Sequence, residues 1–288
     1  MIEDDVRALA GMVRDSAGAG ERAAAVWVRG RLLAAGVEYV ALEPYRWPRT
    51  YAWAHLLHAL AGLSRRRLVR LAAAVSYELE VSGRLQWTSR LLPRGHGLNV
   101  VARLPAAGRV ERTLVLVAHL DAQRSGVLWD RRVVEAGAGP RLRTRMMAPA
   151  ALAGAVAIAA GVRPLTALHA GLLLDTASRP TVPGANDNAS GVAALLEVAR
   201  RLAHDPLPGT EVLLVFPGSE ESGMGGMRQA LADHPLDPER SFVLGLDTVG
   251  SGRPVLASAE GGVLAHDYRD VDLRLVEQGA AAAGVEPP

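Results

Sequence analysis

The 288-residue sequence contains no cysteine. Disulfide frameworks and thiolate chemistry are therefore excluded, and cysteine usage says nothing about the redox compartment. Lysine is absent too: all 32 basic side chains are arginine. The net charge is only +2, so this bias, set beside abundant Ala, Gly and Val, does not mark a nucleic-acid-binding surface. Aromatic residues make up 4% of the chain, and no stripe of aromatic and basic residues of the kind that grips single strands is present. A leader peptide is also not expected, because Met1-Ile2-Glu3-Asp4-Asp5 is acidic where a secretory leader is basic and then apolar.

What is present suits a large globular core: 49% of residues are hydrophobic and 22% charged. Residues 4–36 carry helical periodicity and end at Gly36, a natural C-cap. Val37–Tyr45 alternates like a strand, and 99–104 reads as a second. The run 113–118 is unbroken and β-rich, as a strand buried on both faces requires, and 211–216 and 241–246 are similar. Helices are expected over 190–204, 222–233 and 268–283. Strands alternating with helices predict a three-layer α/β/α fold with a mostly parallel central sheet.

Two stretches break that rhythm. In 52–75 an apolar segment containing His55 and His58 meets Ser64-Arg65-Arg66-Arg67, and a second apolar segment follows, broken by Arg70. Farther on, Arg141, Arg143 and Arg145 precede the uncharged run 146–162, and Arg163-Pro164 separates it from 165–174. The uncharged run sits at the lower edge of the ~17–25 residues that cross a bilayer. One continuous span would place Arg163 in lipid at a cost of roughly 2.5–3.5 kcal/mol. Two helical hairpins are therefore expected, as insertions over 47–85 and 127–180, with membrane contact through 52–75 and 146–174 and membrane association as the localisation. Buried or dimer-forming hairpins in a cytoplasmic protein are the alternative.

The chemistry-bearing residues cluster where strands end. His119-Leu120-Asp121 follows the strand 113–118, Glu220-Glu221 follows 211–216, and Asp247 follows 241–246. Asp187 lies in the glycine-bounded loop Gly184–Gly191, immediately before a helix that Ser190 is placed to cap. Each residue alone has an ordinary explanation: a packed histidine, a solvated acidic loop, a turn cap. Together they supply metal-ligand types at the carboxyl ends of strands, where open α/β sheets gather ligands. Adjacent carboxylates repel one another unless their roles differ, for example one on a metal and one acting as a base.

These motifs, His119-Leu120-Asp121, Asn186-Asp187-Asn188-Ala189-Ser190-Gly191, Glu220-Glu221-Ser222-Gly223 and Leu246-Asp247-Thr248, resemble in order those of the M28 zinc aminopeptidases. The resemblance covers about 4–46 and 97–285 and implies the zinc-exopeptidase (phosphorylase/hydrolase-like) fold, with two zinc ions above an eight-stranded mixed sheet. It implies that Asp187 bridges the metals, that His119 and Asp247 complete one set of ligands and that Glu221 serves the other metal. Glu220 would be the general base for hydrolysis at the amino terminus of a peptide, and Asp121 would orient His119. A cis Asp187–Asn188 peptide bond is implied as well.

Two departures from the family accompany the match. The ligand that should partner Glu221 has no clear counterpart before Pro288, with His266 as the candidate substitute. The expectation is thus one zinc-peptidase-like domain over 1–288, incomplete at its carboxyl end and short of one metal ligand. The segment between His119 and Asp187 is also longer than in relatives, placing a hairpin beside the site. Alternative functions are a glutaminyl-cyclase-like acyl transfer using one zinc and a non-catalytic membrane scaffold.

Overall fold

The computed structural model describes residues 2–137 and 148–285. In chain order the principal elements are helices α1 (Ile2–Ala10) and α2 (Ala19–Ala34), strand β1 (Tyr39–Trp47), helices α3 (Ala52–Gly62), α4 (Arg67–Val81) and α5 (Trp87–Leu91), and strands β2 (Gly95–Leu104) and β3 (Ala107–Val117). Helices α6 (Arg131–Gly137), α7 (Pro149–Ala160), α8 (Arg163–Ser178) and α9 (Gly191–His204) follow, then β4 (Pro208–Phe216), α10 (Gly225–Asp233), β5 (Ser241–Gly245), β6 (Ala259–Glu260), β7 (His266–Asp267) and α11 (Asp270–Ala282). The chain forms two compact units, the first from Met1–Thr50, Pro93–Arg124 and Thr181–Gly252, the second from Tyr51–Leu92, Ser125–Pro180 and Arg253–Pro288.

The first unit is an α/β domain built on a mixed sheet of order β1-β2-β4-β3-β5. β3 pairs in parallel with β4 and with β5, whereas β2 is antiparallel to both β4 and β1. It follows that β2 alone runs against the other four strands. Five strands are described, not the eight that the resemblance implied. β4 shows why an unbroken apolar run becomes a central strand. Val212, Leu214 and Phe216 join a core with Leu9, Val28, Leu195 and Ala199 of α1, α2 and α9. Leu213 and Val215 point the other way and pack with Ala230 of α10. At roughly 1.5–3 kcal/mol for each large apolar side chain buried, both faces hold the strand in register.

The periodic stretch 4–36 is two helices, not one. The chain leaves the helix after Ala10 and re-enters at Ala19, and Ala17 between them adopts φ 47°. Gly36 ends α2 as expected, at φ 89°, with Val37 N–H bonded to Leu32 O at 3.1 Å.

The second unit contains the two hairpins. α3 packs against α4 and α8, and α7 packs against α4 and α8. Small residues allow close approach: a Cβ on Gly154 of α7 would stand 2.5 Å from the His169 ring of α8. Within this unit His169 Nε2 lies 3.0 Å from the Tyr77 hydroxyl, and His58 is held by Ala54 O at 2.7 Å and Ser76 Oγ at 2.9 Å. Burial pushes the pKa of His55, His58 and His169 down, His55 to about 3. No described helix is long and apolar enough to cross a membrane. Arg141, Arg143, Arg145 and Met146 lie outside the described residues. α11, expected from sequence as part of the α/β domain, groups instead with this helical unit.

Candidate metal centre

Parallel strands deliver the side chains. Beyond β3 the ladder continues, with Ala118 N–H bonded to Val215 O and Leu120 N–H to Pro217 O, so His119 emerges at the carboxyl edge in a fixed direction. Beyond β4 the chain turns sharply at Ser219 (φ 53°) and presents Glu220 and Glu221. Gly218 is required there, since a Cβ would stand 2.2 Å from the Glu21 carboxyl carbon. Beyond β5, Leu246 N–H bonds to Val117 O and Asp247 follows. Asp187 arrives from the kinked turn Ala185–Ser190, where the Asp187–Asn188 peptide is cis as the resemblance implied.

These segments converge. His119 Nε2 lies 3.1 Å from Asp187 Oδ1, 3.7 Å from Asp247 Oδ1 and 3.9 Å from Glu220 Oε2. Ligand atoms of His119, Asp187 and Glu221 all fall within 4.8 Å of one another. His119 Nε2, Asp187 Oδ1 and Glu221 Oε1 are buried, and no hydrogen-bond partner satisfies them. Leaving such atoms unpaired costs about 1–3 kcal/mol each, so a shared cation fits this cluster. The donors are oxygen and imidazole nitrogen, which suit zinc and also manganese or cobalt. Among the described residues this is the one group of three or more with metal-holding geometry; the histidines around Tyr77 do not form another. His266, the candidate substitute ligand, lies in the second unit beside Arg84.

The electrostatics favour positive charge at the same point. Burial opposes a charged His119, but Glu220, Asp121, Asp187 and Asp247 outweigh it and hold its pKa well above the histidine range. Burial is the first cause for Glu220, pushed up to about 7 with Asp121, Asp247 and Asp187 reinforcing it while His119 opposes. Glu221 is raised well above the carboxylate range, by burial and then by Asp187 and Glu220. Asp247, 48% exposed, is lowered: burial would raise it, but its contacts with His119 and Thr248 prevail.

The sequence model of peptidase family M28 matches residues 99–283. The chain belongs to peptidase family M28. Within 87 residues, 30% of this M28 chain and 17% of the relative, it is 40% identical to "Probable lipoprotein aminopeptidase LpqL" of Mycobacterium tuberculosis. A glutaminyl cyclase from an Acidobacteriales bacterium superposes at TM-score 0.52 with 15% identity, over 98% of this chain and 67% of that one, which shows a shared fold. A Zn-dependent exopeptidase from Parabacteroides distasonis gives TM-score 0.46 and 16% identity, over 88% of this chain and 62% of that one.

Several contacts that support the site of the M28 chain carry no local sequence signal. Asp121 is fully buried and does more than face His119, whose Nδ1 is 3.5 Å away, a long contact for a hydrogen bond. It accepts the Ser16 hydroxyl at 2.6 Å, Glu220 N–H at 3.0 Å and Glu221 N–H at 3.2 Å. The helix cap is also a correction. Ser190 donates to Asn186 O at 2.6 Å, whereas Asn188 Oδ1 accepts Gly191 N–H at 3.1 Å. The buried Asn188 also donates to Leu246 O at 2.8 Å, tying the Asp187 turn to the Asp247 strand end. Arg14, buried, donates to Pro183 O at 3.1 Å and Gly184 O at 2.7 Å. Glu21 accepts Ala17 N–H and Ser219 N–H, both at 2.9 Å, and lies 2.6 Å from the Tyr45 hydroxyl. A polar residue followed three positions on by nothing unusual gives no sequence signal for such distant partners.

Burial, with Asp121 second, pushes Glu21 up from the usual 4.5 to about 8. A raised carboxyl means the folded state keeps the proton. Its contribution to stability is therefore complete below about pH 4.5 and lost as pH rises through about 8. Glu21→Gln mimics the protonated form, with its carbonyl toward Ala17 and Ser219 and its amide toward Tyr45. The variant is expected to gain Tm on the parent above about pH 8 relative to about pH 5. A Tm difference that does not change across that range would rule out the raised carboxyl.

Proposed function

We propose that this M28 metallopeptidase chain carries an aminopeptidase centre in which His119, Asp187, Glu221 and Asp247 hold divalent metal, zinc by preference, and Glu220 is the general base. The observation that supports the reading is the convergence of three buried, unpartnered ligand atoms, from His119, Asp187 and Glu221, on one point. A divalent ion bound there would acidify water and polarise the scissile carbonyl. The chain's own residues supply the rest. Glu220, with a pKa near 7, accepts a proton from water at neutral pH and returns it to the departing amine. Asp121 faces the imidazole Nδ1 at 3.5 Å and holds the turn that carries the two glutamates. Asp187 is suited to a bridging role because its Oδ1 is buried in the cluster while its side chain remains half-exposed. Two ions would complete such a bridge.

Convergence on a single point is also the observation behind a second reading, cyclisation of amino-terminal glutamine with one zinc. Aminoacyl-amide substrates and glutaminyl peptides, each offered to the zinc-loaded chain, separate the two. Release of free amine from the amides, lost on chelation and restored by zinc, is the expected outcome. Pyroglutamyl product without amide hydrolysis would select the cyclase, and neither activity with metal bound would select the scaffold.

A further inference from the structure

The exposed end of the helical unit is unlike the rest of the molecule. From 51 to 77 and from 148 to 174 there is no acidic residue, yet these stretches contain Arg65, Arg66, Arg67, Arg70 and Arg163. The α3–α4 and α7–α8 turns lie together. Arg70 Nη1 bonds to Ser64 O at 3.3 Å and Arg65 O at 3.1 Å, and its Nε stands 2.6 Å from where a Cβ on Gly161 would be. Arg70 thus bonds within the α3–α4 turn and packs against Gly161 of the α7–α8 turn. Arg65, Arg66, Arg67 and Arg163 project outward, and among the described residues none of these four forms an ion pair. Apolar side chains surround them: Leu60, Val162 and Leu165 are exposed, and Leu68 is 81% exposed.

We propose that this end of the bundle docks on the surface of an anionic phospholipid bilayer. Charge complementarity selects the occupant, because four cations with no acid among them match a field of lipid phosphates. The interleaved leucines match the acyl boundary just beneath, where arginine can bury its methylenes and keep its guanidinium among headgroups. Docking, not spanning, follows from length: the 16 residues of α8 reach about 24 Å at 1.5 Å per residue, short of the ~30 Å hydrocarbon core. Docking of this kind needs no transmembrane helix among the described residues.

Flotation of the full chain with vesicles tests this. Capture by vesicles enriched in phosphatidylglycerol, weakening with salt, and little capture by pure phosphatidylcholine are expected. Each arginine near such a surface is worth roughly fivefold in partitioning, so Arg65→Ser/Arg66→Ser/Arg67→Ser should lower capture about 100-fold. Leu68→Ser should lower it further, while Arg29→Ser, an exposed site on α2, should leave it unchanged. Circular dichroism and the Tm of the triple variant exclude misfolding as the cause. Equal capture by both vesicle types, or undiminished capture of a folded triple variant, overturns the proposal. Absence of any capture overturns it too and makes a protein the occupant of this face.

Discussion

Glu220→Gln is expected to lower kcat by about 10²–10⁴-fold while leaving the metal content of the protein unchanged. The substitution keeps the size and shape of the side chain and removes only its ability to take a proton. The backbone is indifferent to it, because Glu220 N–H donates to Asp121 Oδ1 at 3.0 Å whatever the side chain is. Glu220 Oε2 stands 3.9 Å from His119 Nε2, farther than the oxygens of Asp187 and Asp247, and its side chain is 30% exposed. That position is close enough to reach water at the cluster and open enough to reach a leaving group. Zinc stoichiometry by mass spectrometry, measured beside kcat and KM, distinguishes base from ligand. Activity within a few-fold of the parent would remove Glu220 from the chemistry, and loss of metal would make it a ligand.

Asp121→Ala is expected to weaken metal binding by 10–100-fold. It should also destabilise the metal-free protein by about 3 kcal/mol, as one buried and two partly buried donors lose their acceptor. Those donors are the Ser16 hydroxyl and the Glu220 and Glu221 amides, so the damage reaches three segments at once. Asp121→Asn should fall between parent and alanine, since one carboxylate oxygen is replaced by an NH₂ that faces donors. Zinc titration and denaturant unfolding of the metal-free proteins measure the two effects. Unchanged affinity in Asp121→Ala would leave His119 orientation to packing alone.

The strands and the three strand ends that carry His119, Glu220-Glu221 and Asp247 are legible in the sequence for a physical reason. A strand buried on both faces must be apolar through its buried part, so the first polar residues after it mark the sheet edge; His119 after 113–118 and Ser219-Glu220-Glu221 after 211–216 are such residues. The hairpins were legible as well, because apolar segments punctuated by arginine have few other solutions. What could not be read was long-range polar contact. Arg14, Ser16 and Glu21 lie in a stretch whose apolar spacing looks helical, and spacing reports which face is buried but not which carbonyl a buried guanidinium will meet. Asn188 was passed over for Ser190 because capping preference is local, while Asn188 is held by Leu246 from another strand end. Likewise, the amphipathic pattern of α11 shows a helix and does not say which body it joins.

The short break between α1 and α2 bears on how the centre comes into existence. From Arg14 and Ser16 it reaches Gly184 and Asp121 across 170 and 105 residues of chain, and Glu21 in the first turn of α2 reaches Ser219 across 198. Loop closures of that length belong to the slow, non-local part of folding. Every proposed ligand lies within the family-matched stretch 99–283, and none of these three residues does. A fragment trimmed to that stretch would therefore keep His119, Asp187, Glu221 and Asp247 and lose the segment that fastens the loops around them. During synthesis Arg14, Ser16 and Glu21 precede these partners by 105 to 198 residues, so the contacts form only after the segments around Asp121, Gly184 and Ser219 have been made.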